Sequence, residues 1–143
     1  MNRIAGMLTL VVLAAVLAGC NTLGRQPKLE DAVIDPPELK PGGTAVVSVK
    51  VVDRHDIVKR VEGIVQEDPS IRLKLRDDGA EPDAKAGDNV WTLQVDVPEE
   101  APPGAFVLEF LAYRSDGSPV PVRNAERDVV DLTTSLPVVI ANP

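Results

Sequence analysis

The sequence predicts an all-β chain folded as a β-sandwich of about seven short strands. Three observations carry that expectation. Apolar and polar residues alternate with period two in several short, valine-rich runs, the pattern of half-buried strands. Clusters of Gly, Pro, Asp and Ser punctuate the chain between those runs. Beyond the N-terminal apolar segment, no stretch sustains the 3.6-residue apolar period of an amphipathic helix.

Residues 29–34 form the first expected strand, stopped by Pro36 and Pro37. The Pro41-Gly42-Gly43 turn launches the second, residues 44–52, in which Ala45, Val47, Val49 and Val51 share the inward parity. Val46 and Val52 extend apolar cover to its other face. In residues 57–65, β-branched content favours a strand with Val61, Gly63 and Val65 on one parity. Asp68-Pro69-Ser70 is expected to turn the chain into residues 71–76, where Ile71, Leu73 and Leu75 face the core and Arg72, Lys74 and Arg76 face water. That row of cations reads as a solvated sheet face, because it lacks aromatic partners and its surroundings are acidic.

Residues 91–97 alternate again and place Trp91, Leu93, Val95 and Val97 inward, with Trp91 expected to fill the space between sheets. The proline-rich connection 98–104 ends that strand. Residues 105–113 put Phe106, Leu108, Phe110 and Ala112 on one parity, and Ser115-Asp116-Gly117-Ser118 is a tight turn. Residues 129–140 are expected to supply one or two closing strands, with Pro137 at an edge or a bulge.

Within this layout, Leu75-Arg76-Asp77-Asp78-Gly79, Ala86-Gly87-Asp88-Asn89-Val90-Trp91-Thr92, Val97-Pro98 and Pro102-Pro103-Gly104 resemble a run found in bacterial immunoglobulin-like and fibronectin type III-like domains. The resemblance implies an immunoglobulin-like β-sandwich over residues 29–143. It departs at Asn89, where such modules carry glycine; Asn tolerates left-handed backbone, so the turn is expected to survive. The resemblance speaks to fold, since these modules serve many roles.

Residues 1–19 read as a signal peptide. Arg3 precedes an apolar run over residues 4–17, shorter than the about 20 residues a membrane-spanning helix needs. The run ends in Leu17-Ala18-Gly19-Cys20, which resembles the bacterial lipobox. That resemblance implies cleavage before Cys20, a thioether-linked lipid on its thiol and acylation, with palmitate for instance, of the new N-terminus. Asn21 stands where Asp would resemble an inner-membrane retention signal, which favours the outer membrane, facing the periplasm or the cell exterior. Residues 20–28 are then the lipidated cysteine and a short tether.

Cleavage there leaves 124 of the 143 residues, enough for one domain with its own core. With Cys20 the only cysteine, no internal disulfide is available. The full chain carries a net charge of -7, and such an acidic balance lacks the footprint of a nucleic-acid-binding surface. His55 is the only histidine, so a zinc or copper site of ordinary composition cannot be assembled. The serines sit in no nucleophile elbow, and no Gly-rich phosphate loop is present. No catalytic residue and no resident cofactor is expected.

The leading expectation is a noncatalytic envelope lipoprotein that docks a protein partner. The alternative is a calcium- or carbohydrate-binding module using the acidic loop 77–88. Asp77, Asp78, Glu81, Asp83 and Asp88 place five carboxylates within twelve positions, and Ca²⁺ takes about six to eight such hard oxygens. Their spacing is not that of an EF-hand. Turn-capping carboxylates that accept backbone N–H groups are therefore the first reading, and calcium ligands the second.

Overall fold

The computed structural model describes residues 26–143, so Cys20 and the signal segment lie outside the described residues. Ten strands follow in order: β1 (Lys28–Asp35), β2 (Glu38–Leu39), β3 (Thr44–Val52), β4 (Arg60–Val65), β5 (Asp68–Lys74), β6 (Val90–Asp96), β7 (Gly104–Tyr113), β8 (Pro121–Arg123), β9 (Val129–Asp131) and β10 (Thr133–Ile140). The sequence predicts about seven. The expected closing stretch 129–140 holds two strands, β9 and β10, and the remaining difference is β2 and β8, of two and three residues, which carry no alternation long enough to read. Among the described residues, no helix is long and apolar enough to cross a membrane.

One sheet has the order β1-β3-β6, a second has the order β2-β10-β7-β4-β5, and β8 pairs with β9 in a small third. The two larger sheets enclose a single apolar core to which both contribute, Val47 and Val49 from one and Val61, Leu108 and Phe110 from the other. On β3 the expected inward set, Ala45, Val47, Val49 and Val51, is buried. Valine suits this central strand because its branched Cβ fits a pleated surface. Phe110 is fully buried on the central strand β7. Opposite it on β4 stands Gly63, where an added Cβ would meet the Phe110 ring at 3.2 Å. The glycine makes room for the ring.

Three local expectations change. The turn into β5 falls at Gln66 and Glu67, two residues earlier than Asp68-Pro69-Ser70. Asp68 still forms its local motif, with Oδ1 accepting from the Ser70 N–H at 3.2 Å. The strand tolerates Pro69 because β5 is the outer strand of its sheet, where a missing N–H breaks no ladder bond. The same edge position grades the inward face: Ile71 is 45% exposed while Leu75, closer to the other sheet, is 1% exposed.

Trp91 shares the inward parity, opposite Val49, but it is only partly buried. Strand β6 is also the outer strand of its sheet, flanked on its far side only by the single-residue bridge of Arg76 to Thr92. The space between sheets is filled by Phe110 instead.

Pro137 behaves as expected, and the ladder shows why. It lies opposite Val107 on β7. The Val107 carbonyl accepts from the Gln66 N–H at 2.9 Å, and its N–H donates to Glu67 Oε2 at 3.1 Å. Both Val107 groups thus point away from β10, so Pro137 is at a position where no N–H is called for. On the far side β2 pairs only with Val139 and Ile140, leaving Pro137 at an open edge.

Between β5 and β6 the chain passes from one sheet to the other. Arg76 makes an isolated antiparallel bridge with Thr92, each N–H donating to the other's carbonyl at 2.8 Å. This bridge fixes both ends of the acidic loop.

Candidate metal site

The loop that follows Arg76 is closed by its own carboxylates. Asp77 continues the parity of Leu73 and Leu75 and so turns inward, half-buried. Its Oδ1 accepts from the Gly87 N–H at 3.0 Å and its Oδ2 from the Asn89 N–H at 3.1 Å. One side chain thereby ties the two arms of the loop together.

Asp83 is the most deeply placed of the group at 3% exposed. Its Oδ2 accepts from the Gly79 N–H at 2.7 Å, and Oδ1 from the Lys85 N–H at 3.4 Å. Gly79 has φ 75° and its Cα is so close to Ala86 that a Cβ would meet the Ala86 nitrogen at 3.1 Å. Asp88 caps the entry to β6, with Oδ1 accepting from the Val90 N–H at 2.9 Å. Asn89 adopts φ 64°, the left-handed geometry expected where the resembling modules carry glycine.

Three of the five carboxylates converge. One oxygen from each of Asp77, Asp83 and Asp88 lies within 4.8 Å of the others. Oxygens bound at 2.3–2.6 Å to one Ca²⁺ stand at most about 5 Å apart, so this triangle has the right size for a shared cation. The other two stand apart from that group. Asp78 pairs with Arg76 at 2.9 Å and accepts from the Ala80 N–H at 3.0 Å, while Glu81 is exposed. His55 is exposed in the turn after β3.

The electrostatics of the two kinds of aspartate differ in sign. Burial raises the Asp77 carboxyl above its ordinary value, the Asn89 N–H opposes that rise, and the neighbouring Asp88 and Asp83 carboxylates add to it. Asp78 moves the other way, lowered by the Ala80 N–H and then by the Arg76 guanidinium. Asp116, in the distant turn after β7, is lowered by its bonds from Ser118. Asp77 is thus an inward carboxylate whose charge is resisted by its surroundings. A hard cation held between it and its two neighbours would relieve that resistance. The turn-capping reading of the loop is what the hydrogen bonds show, and the carboxylate oxygens that cap turns each retain a second lone-pair direction that a metal could use.

No family model matches the chain, and no curated protein matches it by sequence. Solved structures of similar shape include an endo-β-1,4-mannanase from Thermotoga petrophila, with TM-score 0.53 and 11% identity over 83% of this chain and 20% of that one. They also include the alkylpurine DNA glycosylase AlkC of Pseudomonas fluorescens bound to abasic-site DNA, with TM-score 0.46 and 11% identity over 82% of this chain and 31% of that one. A Niemann-Pick type C2 protein from the Japanese carpenter ant gives TM-score 0.44 and 15% identity, over 81% of this chain and 93% of that one. The chain spans about a fifth of the mannanase. At 11% identity the likeness to the mannanase is one of fold alone.

Proposed function

We propose that this chain is a noncatalytic binding module of the cell envelope that takes Ca²⁺ between Asp77, Asp83 and Asp88. The single observation that carries the metal is the convergence of those three carboxylates within 4.8 Å. Three acidic ligands leave the remaining coordination to loop carbonyls and water, as in weak extracellular calcium modules with Kd of about 10⁻⁴–10⁻³ M. The metal would tie the β5 exit to the β6 entry and so set the shape of the loop. An immunoglobulin-like fold is part of the same proposal, and the facing of β1-β3-β6 by β10-β7-β4-β5 supports it.

Matched for ionic strength, the protein is expected to melt about 4–9 °C higher in 5 mM Ca²⁺ than in chelator. This follows from a gain of roughly 1–2 kcal/mol at that Kd and the usual conversion for a domain of this size. Asp77→Asn and Asp88→Asn should each abolish most of the rise, and Asp116→Asn should leave it intact. A rise of under 1 °C, or one that all three variants share, would overturn the calcium reading.

The anchor belongs to the proposal through Leu17-Ala18-Gly19-Cys20. Lipid on Cys20 would hold the domain at the outer membrane and leave its sheets free for an envelope protein partner. Labelled fatty acid is expected to enter the wild-type protein in cells and not Cys20→Ser. Equal labelling of both would remove the lipoprotein reading.

A further inference from the structure

The apolar interior is not filled everywhere. Aromatic residues make up only 3% of the chain, and much of the core is valine. Two sheets held about 10 Å apart need large side chains to close the interval. Where Phe110 stands, they have one. Toward the Pro98–Pro102 end they do not, and a cavity of about 470 Å³ opens between the sheets there. Val47 and Val95 line it from one sheet, and Leu73, Phe106, Leu108 and Val138 from the other.

The polar residues of this cavity are all of one kind. Asp68, Asp96 and Glu100 are exposed at its mouth, and among the described residues no Lys or Arg lines it. The interior therefore offers mainly dispersion contact, while the charged side chains at the rim are all negative. A dry cavity of about 150 Å³ takes benzene, so one about three times larger has room for roughly eighteen non-hydrogen atoms. The acidic rim disfavours a carboxylate or phosphate end and favours an ammonium or an uncharged one.

We propose that the cavity between the two sheets binds a slender apolar molecule, a single alkyl chain or small ring system, whose polar end is cationic or uncharged. This site is distinct from the acidic loop. The loop enters β6 at Val90 and the cavity meets its other end at Val95 and Asp96, about 17–20 Å further along the strand. Ligand entry from the mouth covers Ile71, an exposed aliphatic at the rim.

The test uses the uncharged fluorophore N-phenyl-1-naphthylamine with the full chain, followed by displacement with dodecylamine, dodecanol and dodecanoate. Saturable binding of one probe per chain is expected, with dodecylamine displacing it at a concentration at least tenfold below that of dodecanoate. The doubly filled variant Val65→Phe/Val95→Phe, folded by circular dichroism, should bind the probe at least tenfold more weakly. Asp96→Lys/Glu100→Lys should keep the probe and reverse the order of the amine and the carboxylate. Absence of saturable binding would overturn the proposal, as would a folded filled variant that binds like wild type. If that variant fails to fold, equal displacement by amine and carboxylate overturns it instead. Chelating calcium is expected to leave all of these readings unchanged, which keeps failure of this site separate from failure of the loop.

Discussion

Phe110→Ala is expected to lower the stability of the domain by about 3–5 kcal/mol, the range for removing a large aromatic from a core. Its ring is fully buried on the central strand of the larger sheet and lies against Gly63, which has no side chain to move into the space. Total stabilities of domains this size are about 5–15 kcal/mol, so the loss is a large share of the whole. Trp91→Ala, at a partly buried site on an edge strand, should cost roughly half as much despite the larger side chain. Denaturant melts of the two variants beside wild type decide the matter. A larger loss at Trp91 than at Phe110 would mean that the indole, and not the phenyl ring, closes the interval between the sheets.

The contrast between those two aromatics marks how far the sequence could be read. Alternation places both on inward faces, and both do point inward. Parity is a local property, set by the pleat of one strand. How deeply a residue sits depends on whether its strand has neighbours on both sides, which is decided by pairings between segments far apart in the chain. Strand β3 is central and its four inward residues are all buried, whereas Ile71 and Trp91 lie on edge strands and are not. The same limit hid the turn at Gln66 and Glu67: the Asp68-Pro69-Ser70 signal is a real local motif, but an edge strand can contain it.

In the acidic loop, count and spacing group all five carboxylates and do not separate them. The signal that does is parity: Asp77 follows Leu73 and Leu75 in the same alternation and turns inward, whereas its neighbour Asp78 is exposed. Asp83 offered no such signal. Its burial arises because the loop folds over it and the Gly79 N–H reaches its carboxylate, a contact that neither spacing nor composition encodes. The cavity between the sheets was not legible either, beyond the scarcity of aromatics, since it depends on which valines face one another across the core.

Asp83 also gives the sharpest separation of scaffold from ligand. Asp83→Ala removes the acceptor for the Gly79 and Lys85 N–H groups, and should cost about 2 kcal/mol in chelator, the scale of a lost hydrogen bond to a charged partner. Asp83→Asn keeps an oxygen of the same reach for the Gly79 N–H, gives up only the long 3.4 Å contact with the Lys85 N–H, and removes one negative charge beside Asp77 and Asp88. In chelator it should lie within about 0.5 kcal/mol of wild type, because the weakened bond is offset by reduced repulsion. In 5 mM Ca²⁺ it should fail to gain the stabilisation that wild type gains, since the cation has lost a charged ligand. The proton reports on the same balance. Asp77 is raised above 3.8 in the fold, chiefly by burial, so its contribution to stability is fully present below the unfolded value and is lost as pH rises through the folded one. At the proposed site calcium would compete with that proton, so the metal-dependent rise in melting temperature should grow over the same interval and vanish on acidification toward 3.8. Asp83→Asn that kept the full calcium response at neutral pH would take Asp83 out of the site and leave it as the brace of the loop alone.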